Sequence, residues 1–179
     1  YPGHGDTDVD SHTLLPVIDK SKEELLSTEL IPFQASIDYG IPALMVGHLL
    51  IPALDDKPAS LSGIIMKELL REDQGFDGVL FSDDLTMGAI VGSMTVSEAA
   101  VEFIAAGGDV ALICHGETNL VEAFEAIEAA VEEGSLLEED IDRKVVRIIR
   151  LKEDFDLKEE AVRDTFDDKL DNRIEGLFD

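Results

Sequence analysis

Three features are scarce in this 179-residue sequence: cysteine, long apolar runs and basic residues. The single cysteine, Cys114, excludes an internal disulfide and any cysteine-rich metal site. It is compatible with a reducing compartment, and we expect a cytoplasmic location. No apolar run approaches the roughly 20 residues that a membrane-spanning helix needs. The composition, 45% apolar and 30% charged, instead indicates a globular domain with a core of its own.

The scarcity of basic residues gives the chain an extreme charge. It has 14 Lys and Arg against 40 Asp and Glu, a net charge of −26. Nucleic acid and anionic membrane surfaces are therefore disfavoured as partners, because both would be repelled. The acids are spread over predicted helices, which indicates an acidic surface suited to high salt, as in halophilic proteins, where self-repulsion is screened. A merely acidic mesophilic protein is the alternative.

What the sequence does contain is an alternation of apolar runs and helical patterns. Continuous apolar runs at 43–46, 78–81 and 109–114 are typical of parallel strands buried on both faces. Apolar spacing and capping boxes predict helices over the ranges 21–38, 60–72, 95–107, 119–133 and 138–153. Pro32 should kink or split the first helix. The pattern predicts an α/β fold, either a doubly wound sheet or part of a (β/α)₈ barrel.

Polar side chains follow each predicted strand. Asp83 and Asp84 come after the second apolar run, His48 after the first and His115 after the third. A glycine-rich loop over residues 4–12 would follow a strand just before Tyr1. Because the carboxyl ends of parallel strands meet at one edge, we expect these four groups to converge on one face. Asp84 is read as a helix cap, and the two histidines as structural or rim residues.

Two of these groups suggest chemistry. A carboxylate such as Asp83 at a strand end can attack an electrophilic carbon and form a covalent intermediate. His12 lies two residues from Asp10, which can orient and tune it, so that it shuttles a proton near neutral pH. Retaining glycoside hydrolysis needs such a nucleophile and such an acid/base.

Several stretches resemble glycoside hydrolase family 3, in its β-N-acetylglucosaminidase branch. They are Pro-Gly-His-Gly-Asp-Thr at 2–7 with Asp-Ser-His at 10–12, the run at 69–86 that contains Phe-Ser-Asp-Asp-Leu-Thr, and the run at 47–62. The resemblance spans about residues 1–155. It implies the C-terminal half of a TIM-type (β/α)₈ barrel. The polar and charged remainder predicts an acidic helix or tail over 156–179.

The resemblance also implies site residues and an activity. It makes Asp83 the nucleophile, His12 the acid/base and Asp10 its partner, in an enzyme that removes terminal β-linked N-acetylglucosamine with retention. His4 and Met87 are expected near the sugar. The alternative for His4 is that it holds the shape of the loop, and the alternative for Met87 is that it is a packed side chain. A fragment of peptidoglycan, a muropeptide, is the expected substrate.

No cofactor or metal is expected. Residues 6–10 mimic the start of a calcium loop, but position six is Ser11 rather than glycine and position twelve is Val17 rather than glutamate. The family resemblance implies no metal either.

The first motif begins at Tyr1, so we expect that the N-terminal half of the barrel, including a sugar-contacting Lys-His pair, is missing here. The isolated chain should then be inactive, and its open strand edges should favour association with that half or with itself. Two alternatives stay open. One is an N-acetylglucosaminide phosphorylase on the same scaffold, and the other is a non-catalytic half-barrel that binds sugar or a partner.

Overall fold

A computed structural model describes residues 1–157 except 6, 8 and 12. Two strands, β1 (Ala43–Val46) and β2 (Val79–Ser82), pair in parallel from Ala43 opposite Val79 to Val46 opposite Ser82. β1 coincides with the apolar run predicted at 43–46, whereas β2 begins one residue inside the run predicted at 78–81 and extends one residue beyond it, to Ser82. The predicted acidic helix or tail over 156–179 lies, apart from its first two residues, outside the described part of the chain.

The strand pair has a neighbour on each side. The backbone nitrogen of Tyr1 donates to Met45 O (2.7 Å), and Gly47 N donates to Tyr1 O (3.0 Å), so the start of the chain lies along β1. Along β2, Val110 N donates to Leu80 O (3.0 Å). The lateral order therefore follows the chain order, as in a segment of a (β/α)₈ barrel.

The predicted strand over 109–114 is only partly formed. Its one bridge is the parallel pair of Val110 with Phe81. Two residues further on, Leu112 N donates to Ser82 Oγ (2.8 Å) instead of to a backbone carbonyl. Regular pairing therefore ends where a side chain replaces the backbone acceptor.

The predicted helices are present, with some changes in their bounds. The α-helices are α1 (Lys22–Ser27), α2 (Leu30–Asp38), α3 (Gly88–Val91), α4 (Val96–Ala106), α5 (Glu117–Glu132) and α6 (Glu138–Asp154). A 3₁₀ turn (Ala59–Leu61) and a π-helix (Ile64–Asp73) take the place of the single helix predicted over 60–72. Among the described helices, none is both long and apolar enough to cross a bilayer.

Local sequence signals explain several of the helix ends. Ser21 Oγ accepts from Glu24 N (3.3 Å), the Glu24 carboxylate accepts from Ser21 N (2.9 Å), and Thr95 forms the same capping box at α4. The helix predicted over 21–38 is split before Pro32, which lies in the first turn of α2, where its missing N–H costs nothing. Gly107 ends α4 with φ of 114°, as expected.

The core covers one face of β1. Leu44 and Val46 of β1 are buried, as are Leu80 of β2 and Phe103 of α4, whereas Met45, between the first two, is 48% exposed. Successive strand residues point to opposite faces, so the second face of β1 is uncovered. In a closed barrel this face is the one that points inward.

Candidate active site

Asp83 stands at the carboxyl end of β2, as predicted. Its N–H donates to Val46 O (3.0 Å), which extends the β1–β2 ladder by one residue, and its Oδ1 accepts from Asp84 N (2.8 Å). The residue is half-buried. The ladder therefore holds the backbone of Asp83 in place, while its carboxylate lies at the strand end, where this fold class carries its reacting groups.

Asp84 joins two loops. Its carboxylate accepts from Thr86 N (3.0 Å), from Thr86 Oγ1 (2.7 Å) and from Cys114 N (3.0 Å), which lies beyond the third strand segment. Burial raises the pKa of Asp84, but these hydrogen bonds outweigh it and hold the pKa below its ordinary value. The interpretation of Asp84 as a helix cap is wrong, because Met87 is the N-cap of α3.

His48 lies beneath the same loop. It is fully buried, with Nε2 3.0 Å from Asp84 O and Nδ1 2.7 Å from Ser60 Oγ. A carbonyl oxygen only accepts, so Nε2 carries the proton and Ser60 Oγ donates to Nδ1. Burial lowers the pKa of His48, which favours this neutral form. The structural role expected for His48 is consistent with this geometry.

His115 lies at the rim. Its side chain is 83% exposed, and its Nε2 is 3.9 Å from Asp84 Oδ2. Cys114, the only cysteine, is exposed beside it. His48, Asp84 and the residues after the third strand segment thus meet at one edge, as the strand-end argument predicts.

The glycine-rich loop reaches the same edge. His4 Nε2 lies 3.1 Å from Ser11 Oγ, and Ser11 O accepts from Ala89 N (3.3 Å) of α3. Asp10 is exposed, and its backbone oxygen accepts from Thr13 N (3.0 Å). The loop therefore packs beside the segment that follows Asp83.

Part of the predicted constellation is not described. His12 lies outside the described residues, so its role as acid/base and its pairing with Asp10 stay predictions. Met87 is 7% exposed, and its N–H donates to Asp84 O (3.1 Å). Its role in binding sugar also stays a prediction, as does that of His4. Within the described ranges, no group of three or more His, Cys, Asp or Glu side chains is placed to hold a metal.

Sequence reasoning missed two members of this arrangement. Thr86 follows Asp84 by two residues, and that spacing is a signal for a local side-chain turn. Ser60 is twelve residues from His48 and belongs to another element, so no local pattern indicates their contact.

We expect His48→Gln to lower the free energy of unfolding by about 1–3 kcal/mol at neutral pH. The buried Ser60 hydroxyl and Asp84 carbonyl would lose their hydrogen-bond partner. Because the pKa of His48 in the folded protein lies below the ordinary histidine pKa of 6.5, its contribution to stability is complete at pH values above 6.5. The contribution is lost as the pH falls below 6.5. The gap between the urea midpoints of wild type and variant should therefore narrow from about pH 7.5 to about pH 5.5. His115→Gln, at an exposed histidine, is the control. A gap that does not change with pH would contradict the buried neutral form.

Comparison with known proteins agrees with this fold. Residues 1–151 match the glycosyl hydrolase family 3 N terminal domain. A β-hexosaminidase of Neisseria gonorrhoeae (strain ATCC 700825 / FA 1090) is 43% identical over 115 residues, which cover 64% of this chain and 32% of that protein. The chain thus spans about a third of the length of such curated relatives.

Solved structures give the same picture. A glycoside hydrolase family 3 β-N-acetylglucosaminidase from Paenibacillus sp. str. FPU-7 superposes with a TM-score of 0.84 at 42% identity, covering 86% of this chain and 30% of that one. The β-glucoside phosphorylase BglX superposes with a TM-score of 0.78 at 29% identity, and the match covers 85% of this chain and 29% of that one.

Parallel strands with a carboxylate at one carboxyl end place the chain in the class of TIM-type α/β barrel proteins. Within that class, the chain belongs to glycosyl hydrolase family 3. The predicted fold class and family resemblance are thereby confirmed.

Proposed function

We propose that this chain is part of a retaining β-N-acetylhexosaminidase that removes terminal β-linked N-acetylglucosamine. The observation that carries the proposal is Asp83, held by the ladder at the end of β2, in a chain that is 43% identical over 115 residues to a β-hexosaminidase. A muropeptide is the proposed natural substrate.

The proposed reaction has two displacements. An Asp83 carboxylate oxygen bonds to the anomeric carbon while the glycosidic oxygen leaves with a proton from His12, which Asp10 orients. Water then attacks the same carbon and gives its proton to His12, and the bond to Asp83 breaks. Each displacement inverts the carbon, so the product keeps the β configuration.

We also propose that the upstream half of a barrel, and not only this chain, contributes to the sugar site. The uncovered face of β1, where Met45 is 48% exposed, supports an apolar partner for this side of the sheet. The expected inactivity of the chain alone follows, since much of the sugar-binding surface would be absent. A single compact monomer in size-exclusion chromatography of the chain alone would argue against this partner.

A phosphorylase is the second candidate, supported by the likeness to BglX. A neutral histidine repels phosphate less than a glutamate would. However, Asp83 and Asp84 lie together at this edge, in a chain of net charge −26, and both facts disfavour a phosphate acceptor. Water is therefore the preferred acceptor.

The experiment follows the first-formed product by proton NMR, with an aryl β-N-acetylglucosaminide and the complete enzyme, with and without phosphate. The β anomer of free N-acetylglucosamine should form first under both conditions. Formation of the sugar 1-phosphate would assign the phosphorylase, and first formation of the α anomer would contradict a covalent intermediate. Absence of turnover would contradict both the hydrolase and the phosphorylase, and would favour a non-catalytic half-barrel that binds sugar or a partner.

A further inference from the structure

Basic residues are unevenly placed on this acidic chain. Of its 14 Lys and Arg residues, five line one cleft of about 520 Å³ between the π-helix and α6. They are Lys67 and Arg71 on the π-helix and Arg143, Lys144 and Arg147 on α6. Such a concentration stands out against a net charge of −26.

A buried carboxylate accounts for part of this charge. Asp109 is fully buried at its side chain and accepts from Arg71 Nη2 (2.8 Å), from Arg147 Nε (3.0 Å) and from Leu80 N (2.8 Å). The lining of the cleft also includes Asp140, which pairs with Arg143. The five cations thus face these two carboxylates, and Asp77 also acts on the charge of Arg71, which leaves a surplus of two positive charges.

The surplus is not fully satisfied within the described part of the chain. Lys144 is 7% exposed, and its Nζ donates to Gly108 O (2.8 Å). Burial, assisted by Arg147 and other nearby cations, lowers the pKa of Lys144 to about 8. Arg71 Nε is buried and has no hydrogen-bond partner among the described residues. An anion in the cleft would offset the positive charge that surrounds Lys144.

This cleft lies at the opposite end of the strands from the candidate active site. Asp109 begins the third strand segment, and Arg71 donates to Gly78 O (3.2 Å), which directly precedes β2. Asp83, in contrast, follows the last residue of β2. An anion held here would therefore not take part in the reaction proposed for Asp83.

We propose that the cleft binds a diphosphate group. A single phosphate carries about −1.5 to −2 near neutral pH, so a diphosphate group more than neutralises this surplus. Guanidinium groups suit phosphate oxygens because they donate in a planar fork, and lysine adds a compact charge. The volume of the cleft is within the range of about 300–1,000 Å³ usual for small-ligand sites, so an ester of the diphosphate also fits.

The test is calorimetric titration of the full chain with pyrophosphate and, separately, with ADP, without divalent metal and at about 0.15 M ionic strength. At least one ligand should bind saturably with one site per chain, and the tighter of the two identifies a free or an esterified group. Lys67→Gln combined with Arg143→Gln should weaken binding about tenfold or more. Both side chains are exposed and neither contacts Asp109, so the fold should be kept.

Lys22→Gln combined with Lys57→Gln is the matched control. It removes the same charge at two exposed lysines outside the cleft, which pair with Asp73 and Glu102. This variant should bind as the wild type does. The proposal is overturned if neither ligand binds saturably, if the cleft variant binds unchanged, or if the control loses as much affinity.

Discussion

Asp83→Ala in the complete enzyme is expected to reduce turnover of an aryl β-N-acetylglucosaminide by about 10⁴-fold or more. The carboxylate that bonds to the anomeric carbon in the proposed first displacement would be gone, and alanine offers no nucleophile in its place. The backbone hydrogen bond from Asp83 N to Val46 O does not need the side chain, so the strand end should keep its position. Steady-state kinetics measure the loss of turnover, and a circular dichroism spectrum that matches the wild type shows that the fold is kept.

Two additions make this test specific. Asp77→Ala removes an exposed carboxylate at the other end of β2 and should leave turnover unchanged. Azide added to Asp83→Ala should occupy the space left by the carboxylate and attack the anomeric carbon once, giving an α-glycosyl azide. Near-normal turnover of Asp83→Ala would refute the assignment of the nucleophile, and a β-glycosyl azide would show that another group, on the protein or the 2-acetamido oxygen of the substrate, forms the intermediate.

The parts of this fold that the sequence predicts are those set by local chemistry. A capping box needs only Ser21 and Glu24, three residues apart, and a left-handed helix end needs only a glycine such as Gly107. The position of Asp83 needs only an apolar run that ends before it, together with the rule that reacting groups follow parallel strands. These signals are contained in short stretches of sequence, so no knowledge of the tertiary fold is required.

The parts that the sequence does not predict depend on residues far apart in the chain. His48 has Ser60 and the Asp84 carbonyl as partners, and neither is close to it in sequence. The early end of the third strand depends on Ser82 Oγ accepting from Leu112 N across 30 positions. Neither periodicity nor propensity carries information on such contacts, because several side chains of equal polarity compete for each position until the elements pack.

Asp109 is the clearest case of this kind, and it leads to the second large effect. In the sequence it is only the first residue of an apolar run. In the structure its buried carboxylate accepts from Arg71, Arg147 and the backbone of Leu80, so that one side chain connects the π-helix, α6 and β2. A polar group at a strand start is usually exposed, and only the packing of α6 makes this one central.

We expect Asp109→Asn to lower the free energy of unfolding by about 3–5 kcal/mol. The amide keeps an oxygen for Leu80 N, but it leaves two largely buried guanidinium groups, whose side chains are 15% and 18% exposed, without their counter-charge. Removing one partner of a buried ion pair costs more than the pair contributes, because the remaining charge stays desolvated. The urea midpoint followed by circular dichroism at constant salt measures the loss.

Asp73→Asn is the matched control, since it makes the same chemical change in a pair that is exposed to solvent. Asp73 Oδ2 lies 3.2 Å from Lys22 Nζ, and the two side chains are 59% and 46% exposed. Such an exposed pair contributes about 0–1 kcal/mol to the free energy of unfolding. Both variants reduce the net negative charge equally, so general relief of repulsion is the same in each. If the two midpoints shift by the same amount, burial of Asp109 does not determine its contribution, and the connection between β2, the π-helix and α6 must rest on apolar packing instead.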